Sequence, residues 1–335
     1  MPNLFGHFNL PFDFLGRFLK SQYKTLPYPC TSFAGQTTIV TGANTGLGLE
    51  AALHIVRLGA ARVILACRTL SKGEAAAASI SASLPSHKTT IEVWQVDLTS
   101  YASVKEFCDK VNQLDRLDVM LENAGLAVPK YEEFEGMEST VTVNVMSTFL
   151  MALLVLPKLR ESAAKFNITP RLTIVASDAH EQALFKEQFS PFILAALKNH
   201  KLQQDRYNVS KLLEILIIRE LAPRLSKSEK PSIILNTLTP GFCNSELMRH
   251  ALFPLNVFAW IGKSLLARTT EVGSRTLVAA AAAGEESHGT YMVDCAVSEP
   301  SKYVRSEKGK NAQMRVYVEV MEALEKIQQG ITKNI

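Results

Sequence analysis

The sequence predicts an α/β protein with a single doubly wound parallel sheet of about seven strands and helices on both faces. Short β-branched runs alternate with longer helical stretches along the chain. A glycine-rich turn joins the first of these runs to the first helical stretch, as in sheets that bind a ligand at the carboxyl ends of their strands. The 335 residues, 47% of them hydrophobic, are enough to bury one large core.

The alternation predicts βαβ units in a regular series. Strand-like runs occupy residues 37–41, 62–66, 91–96, 117–121, 172–176, 232–238 and 290–293. Helical stretches occupy residues 46–58, 71–84, 100–114, 137–159, 205–225 and 270–283. We find no repeat or linker between them. The sequence therefore predicts one domain over residues 33–296, an N-terminal extension at 1–32 and a C-terminal helical extension at 297–335.

Two connections are longer than the βαβ pattern requires. Residues 178–206 and 244–268 each follow the end of a predicted strand, where open α/β sheets bind their ligands. The second connection is apolar and aromatic, with Phe253, Phe258 and Trp260. Because long excursions on a compact scaffold are often pocket walls or lids, we predict a substrate lid at about 244–268 that favours an apolar molecule.

Charge and cysteine content exclude several classes. The net charge is +4 without a dense run of Lys and Arg, so the sequence does not indicate a nucleic-acid partner. The five cysteines include no CxxC pair, and their spacing indicates neither a metal site nor a disulfide framework. Unpaired cysteines suit a reducing compartment, which predicts a cytoplasmic location.

The first 20 residues are rich in Phe and Leu and lack the basic start of a secretion signal. Two interpretations stay open: an amphipathic segment in peripheral contact with a membrane, or an arm packed on the protein's own surface. No membrane span is predicted, because the most apolar stretch, 143–157, is shorter than the roughly 20 residues that a span needs.

The glycine-rich turn predicts a dinucleotide site. Its glycines permit a tight turn and a close approach of backbone amides to a pyrophosphate at a helix N-terminus. The strand before it and the helix after it are the context that this motif requires. The cofactor-binding residues predicted here are Gly42, Asn44, Thr45, Gly46, Leu47 and Gly48.

The end of the second strand predicts which dinucleotide binds. NAD enzymes usually place an Asp or Glu there to hold the ribose 2′-hydroxyl, and this chain has Cys67 and Arg68 instead. The Arg68 guanidinium is suited to a 2′-phosphate. The sequence therefore predicts NADP(H), with a solvated surface charge as the alternative interpretation of Arg68.

The motifs together resemble the short-chain dehydrogenase/reductase family. They comprise the Thr-Gly-x-x-x-Gly-x-Gly pattern at 41–48, Asn-Ala-Gly at 123–125, Ser177, and the Tyr-x-x-x-Lys pattern from Tyr207 to Lys211. The resemblance covers about 33–295 and is strongest to the retinol-dehydrogenase-like branch, especially fungal members. It implies a Rossmann-type sheet and an oxidoreductase activity.

The resemblance also implies roles for further residues. It implies that the cofactor contacts Asp97, Leu98, Asn123, Ala124, Gly125, Pro240, Gly241 and Ser245. Asn144 resembles the asparagine of the family's catalytic tetrad, with Ser177, Tyr207 and Lys211. One departure is Glu122, which stands where the family commonly has an asparagine.

The Tyr-x-x-x-Lys spacing alone does not select the catalytic pair, because Tyr101 and Lys105 match it too. Residues four apart share one face of a helix. The first pair opens the helix after the third strand, on the expected adenine side. Tyr207 and Lys211 open the helix after the fifth strand, which Ser177 closes, so we predict the second pair.

Carbonyl reduction needs a proton donor and a hydrogen bond at the oxygen that becomes negative. We predict that Tyr207 supplies the proton, Ser177 polarises the oxygen, and the Lys211 ammonium favours the tyrosinate and binds the cofactor ribose. Asn144 would hold a water that relays protons. The apolar stretch from Leu247 to Leu266 predicts an apolar ketone, aldehyde or alcohol as substrate, and the resemblance to fungal members implies an intermediate of secondary metabolism.

Two other functions stay open. The same fold serves non-redox enzymes of the epimerase type, and a cofactor-binding regulator would keep the dinucleotide site without turnover. The complete set of four catalytic residue types argues against the regulator. The apolar helix over residues 206–218 suits either a homodimer contact or packing on the chain's own sheet.

Overall fold

The structure is a computed structural model that describes residues 12–244 and 266–335. Its central sheet has eight strands: β1 Thr37–Thr41, β2 Arg62–Cys67, β3 Thr90–Gln95, β4 Val119–Glu122, β7 Arg171–Val175, β8 Ile234–Leu238, β9 Tyr291–Val293 and β10 Ala296–Ser298. A separate two-stranded hairpin comprises β5 Glu133–Phe134 and β6 Met137–Glu138. Most of the predicted lid, and Ser245 with it, lie outside the described residues.

The order of the strands is β10-β9-β8-β7-β4-β1-β2-β3, and the pairs from β9 to β3 are parallel. The predicted doubly wound sheet is therefore confirmed. The eighth strand, β10, was not predicted; it runs antiparallel to β9 after a tight turn in which Asp294 and Cys295 have positive φ. β1 lies between β2 and β4, so the order in which successive strands are added to the sheet reverses at β1. Such a reversal leaves a crevice at the carboxyl ends of the strands.

Helices cover both faces of this sheet. The larger helices are α2 Gly46–Arg57, α3 Leu70–Ser83, α4 Tyr101–Asn112, α6 Thr148–Phe166, α8 Arg206–Lys227, α9 Thr270–Ala282 and α11 Glu307–Ile327. One core joins the sheet to α2, α3 and α9, and the other joins it to α4, α6, α8 and α11. The smaller helices are α1 Phe12–Gln22, α5 Ser139–Val141, α7 Ile193–Ala196 and α10 Lys302–Arg305.

The helix predicted over 137–159 begins at Ser139, because Met137–Glu138 form β6. It then runs on from α5 through a π-helical turn at Thr142–Ser147 into α6. This run, Ser139–Phe166, is long and apolar enough to cross a membrane by composition, but 94% of its most apolar window is buried inside the protein. It is therefore a core helix. Residues 209–218 of α8 are likewise all buried within the chain, so they cover its own sheet.

The predicted excursion at 178–206 consists of short helical turns that rest on the C-terminal helix. Glu319 on α11 accepts hydrogen bonds from the backbone N–H groups of Ile193 (2.9 Å) and Leu194 (2.8 Å). At its end, the buried Arg206 pairs with Glu187 at 2.7 Å. These contacts fix the segment that separates Ser177 from Tyr207 in the sequence.

Candidate active site

The ends of β1 and β4 are tied together beside the glycine-rich turn. The Thr41 hydroxyl accepts hydrogen bonds from the backbone N–H groups of Asn123 and Ala124, both at 3.0 Å. The Asn123 amide donates in return to the Thr41 carbonyl at 2.9 Å. Two of the predicted cofactor segments, the turn after β1 and residues 123–125, therefore meet at the strand reversal.

The turn itself leaves a bare helix N-terminus. Gly42 and Gly46 have φ of 65° and 59°, in the left-handed region that favours glycine. Thr45 precedes α2 without forming a side-chain cap, which leaves the first N–H groups of the helix without that partner. Asn44 and Leu47 lie in the same segment. An uncapped helix end that follows a glycine-rich turn fits a pyrophosphate.

The carboxyl ends of β2 and β3 form the side where adenosine would lie. Arg68 is exposed directly after β2 and makes no side-chain hydrogen bond or ion pair with the described residues, whereas Cys67 is buried. Asp97 accepts hydrogen bonds from the backbone and hydroxyl of Thr99 at 2.9 and 2.8 Å. Leu98 is buried beside it. This edge offers one free guanidinium and no carboxylate at the end of β2.

Ser177 and Tyr207, 30 positions apart in the sequence, lie close enough for the Ser177 hydroxyl to influence the Tyr207 phenol. Ser177 directly follows β7, and Tyr207 lies in the first turn of α8. The Lys211 ammonium lies 5.9 Å from the centroid of the Tyr207 ring. Burial raises the pKa of Tyr207, while the Lys211 charge and the Ser177 hydroxyl act to lower it. The pKa of Tyr207 stays above its usual value, and the Lys211 charge offsets part of the cost of burial.

Asn144 lies in the π-helical turn, fully buried. Its amide nitrogen donates to the Leu126 carbonyl (3.0 Å) and the Ser210 hydroxyl (2.9 Å), and its oxygen accepts from the Leu126 N–H at 2.8 Å. A Cβ atom on Gly125 would lie 3.3 Å from the Asn144 amide oxygen and 3.7 Å from the Lys211 nitrogen. Asn144 and Lys211 therefore flank Gly125, and π-helical turns are frequent at functional sites.

The second Tyr-x-x-x-Lys match lies elsewhere. Tyr101 is buried, and burial raises its pKa to about 12. Lys105 donates to the carbonyl of Ile327, at the end of α11, at 2.6 Å. This pair joins α4 to the C-terminal helix and does not share the cluster of Ser177 and Tyr207.

Comparisons with known proteins agree with this geometry. The model of the short chain dehydrogenase family matches residues 36–169. The short chain dehydrogenase/reductase dmxR8 of Cryptosporiopsis sp. is 45% identical over 325 residues, which are 95% of this chain and 99% of that protein. The chain belongs to the short-chain dehydrogenase/reductase family. It is therefore an oxidoreductase that acts on a small molecule with a nicotinamide cofactor.

Two further relatives of this short-chain dehydrogenase/reductase are informative. The short chain dehydrogenase atnD of Emericella nidulans is 44% identical over 287 residues, covering 84% of this chain and 91% of that protein. A Pseudomonas aeruginosa structure described as an RhlG/NADP active-site complex has a TM-score of 0.60 and 23% identity, covering 79% of this chain and 97% of that one. The second likeness supports the fold alone.

The dehydrogenase site contains a carboxylate that sequence reasoning missed. Lys211 donates to Glu214 at 2.8 Å and to the Val175 carbonyl at 2.8 Å. Glu122, noted only as a departure, is 5% exposed at the end of β4. The available signal for Glu214 was its position three residues after a lysine on one helix, where side chains share a face.

The loop after β8, the expected nicotinamide side of the dehydrogenase, is held by the N-terminal helix α1. Pro240 and Gly241 follow β8, and the next residue, Phe242, exchanges hydrogen bonds with the Gln22 amide at 2.9 and 3.0 Å. Gln22 also donates to the Leu266 carbonyl at 2.8 Å. α1 thus packs on the protein's own surface, while membrane contact by the residues before it stays a prediction.

Proposed function

We propose that this chain is an NADP(H)-dependent oxidoreductase that reduces a ketone or aldehyde, or oxidises the corresponding alcohol, on an apolar small molecule. The observation that carries the proposal is the grouping of Ser177, Tyr207, Lys211 and Asn144 beside the bare N-terminus of α2. A proton donor, a polarising hydroxyl and a cation next to a dinucleotide site are the groups that carbonyl reduction needs.

Each of these side chains has one task in the proposal. The nicotinamide supplies or accepts the hydride when bound. Tyr207 donates a proton to the substrate oxygen during reduction, and the Ser177 hydroxyl donates a hydrogen bond to the same oxygen. The Lys211 ammonium stabilises the tyrosinate that remains. Asn144 ties the turn at Leu126 to Ser210 on α8, and thereby supports the position of Lys211.

The preference for NADP(H) rests on Arg68. Its guanidinium makes no hydrogen bond or ion pair with the described residues, and it suits bidentate binding of a phosphate. The absence of an Asp or Glu at positions 67 and 68 removes the usual partner of the NAD ribose. The other cofactor contacts proposed from the motifs, including Ser245, extend from this end to the nicotinamide loop.

The substrate class is proposed from less direct features. The apolar sequence at 244–268 favours an apolar substrate, and the resemblance to fungal short-chain dehydrogenases favours an intermediate of secondary metabolism. All five cysteines are free thiols, which supports a cytoplasmic location.

The test is a screen of apolar ketones and aldehydes with the purified chain, following NADPH absorbance and analysing the product. We expect NADPH oxidation matched by alcohol formation, and a much slower reaction with Tyr207→Phe. Isomerised product without net NADPH consumption would instead identify an epimerase-type enzyme. A folded chain that binds NADPH but turns over none of the compounds would favour the regulator.

A further inference from the structure

The Lys211 ammonium has a buried counter-ion. Its distance to the Glu214 carboxylate is 2.8 Å, and the two side chains are 6% and 2% exposed. The second hydrogen bond of Lys211 goes to the Val175 carbonyl, on the strand that ends next to Ser177. Removing one member of a buried ion pair strands the other charge, so the two residues depend on each other.

A second carboxyl group lies close to this ion pair. Glu122 ends β4 and pairs in register with Ile174 of β7, next to Val175. The Glu214 charge raises the pKa of Glu122, and the Glu122 charge in turn raises the pKa of Cys108 on α4. Oε1 of Glu122 and Oε2 of Glu214 have no hydrogen-bond partner within the described part of the chain. Two buried carboxyl groups, of which Glu214 pairs with Lys211, therefore lie near each other.

These surroundings decide which carboxyl group carries a proton. Burial, followed by the Glu214 charge, raises the pKa of Glu122 well above its usual value. Burial also raises the pKa of Glu214. The rise stops at about 7, because the Lys211 charge and the hydrogen bond from Lys211 lower this pKa. Because Lys211 opposes the effect of burial at Glu214, Glu214 serves as the counter-ion, while burial and the Glu214 charge favour the neutral acid at Glu122.

We propose that Glu122, Lys211 and Glu214 form a buried triad in which Glu214 positions the Lys211 ammonium and moderates its charge toward Tyr207, while Glu122 remains a neutral acid. The proposal rests on the proposed function only for the roles of Tyr207 and Lys211. In this triad one positive charge meets one negative charge, so burial of the group leaves no net charge.

The triad acts on Tyr207 through a small set of neighbours. Lys211 on α8 and the Ser177 hydroxyl after β7 lower the pKa of Tyr207, whereas the charges of Glu214 and Asp178 raise it. Neutralising Glu214 therefore removes an opposing charge and exposes Tyr207 to the full effect of Lys211. The pKa of Tyr207 then falls.

The first experiment compares Glu214→Gln with the native chain. We expect the tyrosinate absorbance assigned to Tyr207, obtained by subtracting the Tyr207→Phe background, to appear at lower pH in the variant. The pH profile of kcat for alcohol oxidation should shift the same way. Glu220→Gln is the matched control, because Glu220 pairs with Arg224 at 2.7 Å on the same helix, away from the site. It should shift neither readout.

The second experiment uses Glu122→Gln, for which we expect a different result from Glu214→Gln. Gln is a neutral isostere of a protonated Glu, so this variant should keep the native pH profile near neutral pH. An unshifted profile in Glu214→Gln, or a larger shift in Glu122→Gln than in Glu214→Gln, would overturn the proposal.

A stability measurement covers the case in which Glu214→Gln folds poorly. Lys211→Met, Glu214→Gln and the double variant are compared by thermal unfolding. Since the double variant leaves no stranded charge, it should unfold at a higher temperature than Glu214→Gln alone. A double variant that is no more stable than Glu214→Gln contradicts the pairing.

These readouts separate the two proposals. Failure of the native chain to bind NADPH or reduce any carbonyl would count against the proposed function alone. The tyrosinate titration and the stability comparison need no substrate, so they test the triad in either case.

Discussion

The side-chain amide nitrogen of Asn123 lies 2.6 Å from the position that a Cβ atom on Gly48 would occupy. The Gly42 carbonyl oxygen lies at the same distance on the backbone side. The end of β4, the turn after β1 and the first turn of α2 are thus packed so closely that position 48 has no room for a side chain. This contact places the bare helix N-terminus next to residues 123–125.

Gly48→Ala should therefore disturb both folding and cofactor binding. The added methyl group has to displace Asn123 or backbone, and overpacking of this kind costs about 1–3 kcal/mol of unfolding free energy. We expect weaker NADPH binding in fluorescence titrations and a lower midpoint in chemical denaturation. Gly16→Ala is the control, because a Cβ there meets no atom within 4 Å; it should be neutral or slightly stabilising. Native-like binding and stability in Gly48→Ala would contradict the packing argument.

Tyr207→Phe should lower kcat by about 10²–10⁴-fold, because it removes the proton donor. Affinity for NADPH should stay close to the native value, since the ring and Lys211 remain. Tyr101→Phe is the matched control: it alters the other Tyr-x-x-x-Lys match, which lies at α4, and should keep full turnover. Steady-state kinetics with a substrate from the screen decides the matter, and substantial turnover by Tyr207→Phe would remove Tyr207 from the mechanism.

Arg68→Ala should weaken NADPH binding by about 10–100-fold, the equivalent of losing a hydrogen-bonded charge pair. NADH binding should change little, because NADH lacks the 2′-phosphate. Arg62→Ala is the control; Arg62 pairs with Glu92 at 2.7 Å at the opposite end of β2 and should affect neither affinity. Titrations with both cofactors measure the ratio of the NADPH and NADH dissociation constants in each variant. Equal losses for NADPH and NADH would assign Arg68 a structural role instead.

Glu122→Gln should stabilise the chain relative to the native protein, and this gain in unfolding free energy should be larger at high pH than at low pH. The folded-state pKa of Glu122 is raised above its ordinary value of 4.5, so the folded protein keeps a proton that the unfolded chain releases as the pH rises. Native stability therefore falls above about pH 4.5, by about 1.4 kcal/mol for each unit of pKa shift. The stability gain of the variant, measured by denaturation at about pH 5 and pH 8, should increase with pH. The same gain at both values would show that Glu122 titrates normally.

Much of the fold follows from local patterns. The first strand was predicted at 37–41 and found at Thr37–Thr41, and the last sheet-covering helix was predicted at 270–283 and found at Thr270–Ala282. Periodicity within a segment reports which face it buries, so it needs no knowledge of neighbouring elements. The three residues of β10 are exposed and carry no such pattern, which is why that strand was missed.

The sequence by itself determined the order of elements, the glycine turn and the spacing of Ser177, Tyr207 and Lys211, because each depends on residues close together in the chain or on a motif. Only the tertiary structure decided that Lys105 reaches Ile327, and that Glu214 pairs with Lys211 near the buried Glu122. Burial and the field of a distant charge control those outcomes, and both arise from elements that the fold brings together, not from the residues adjacent in sequence.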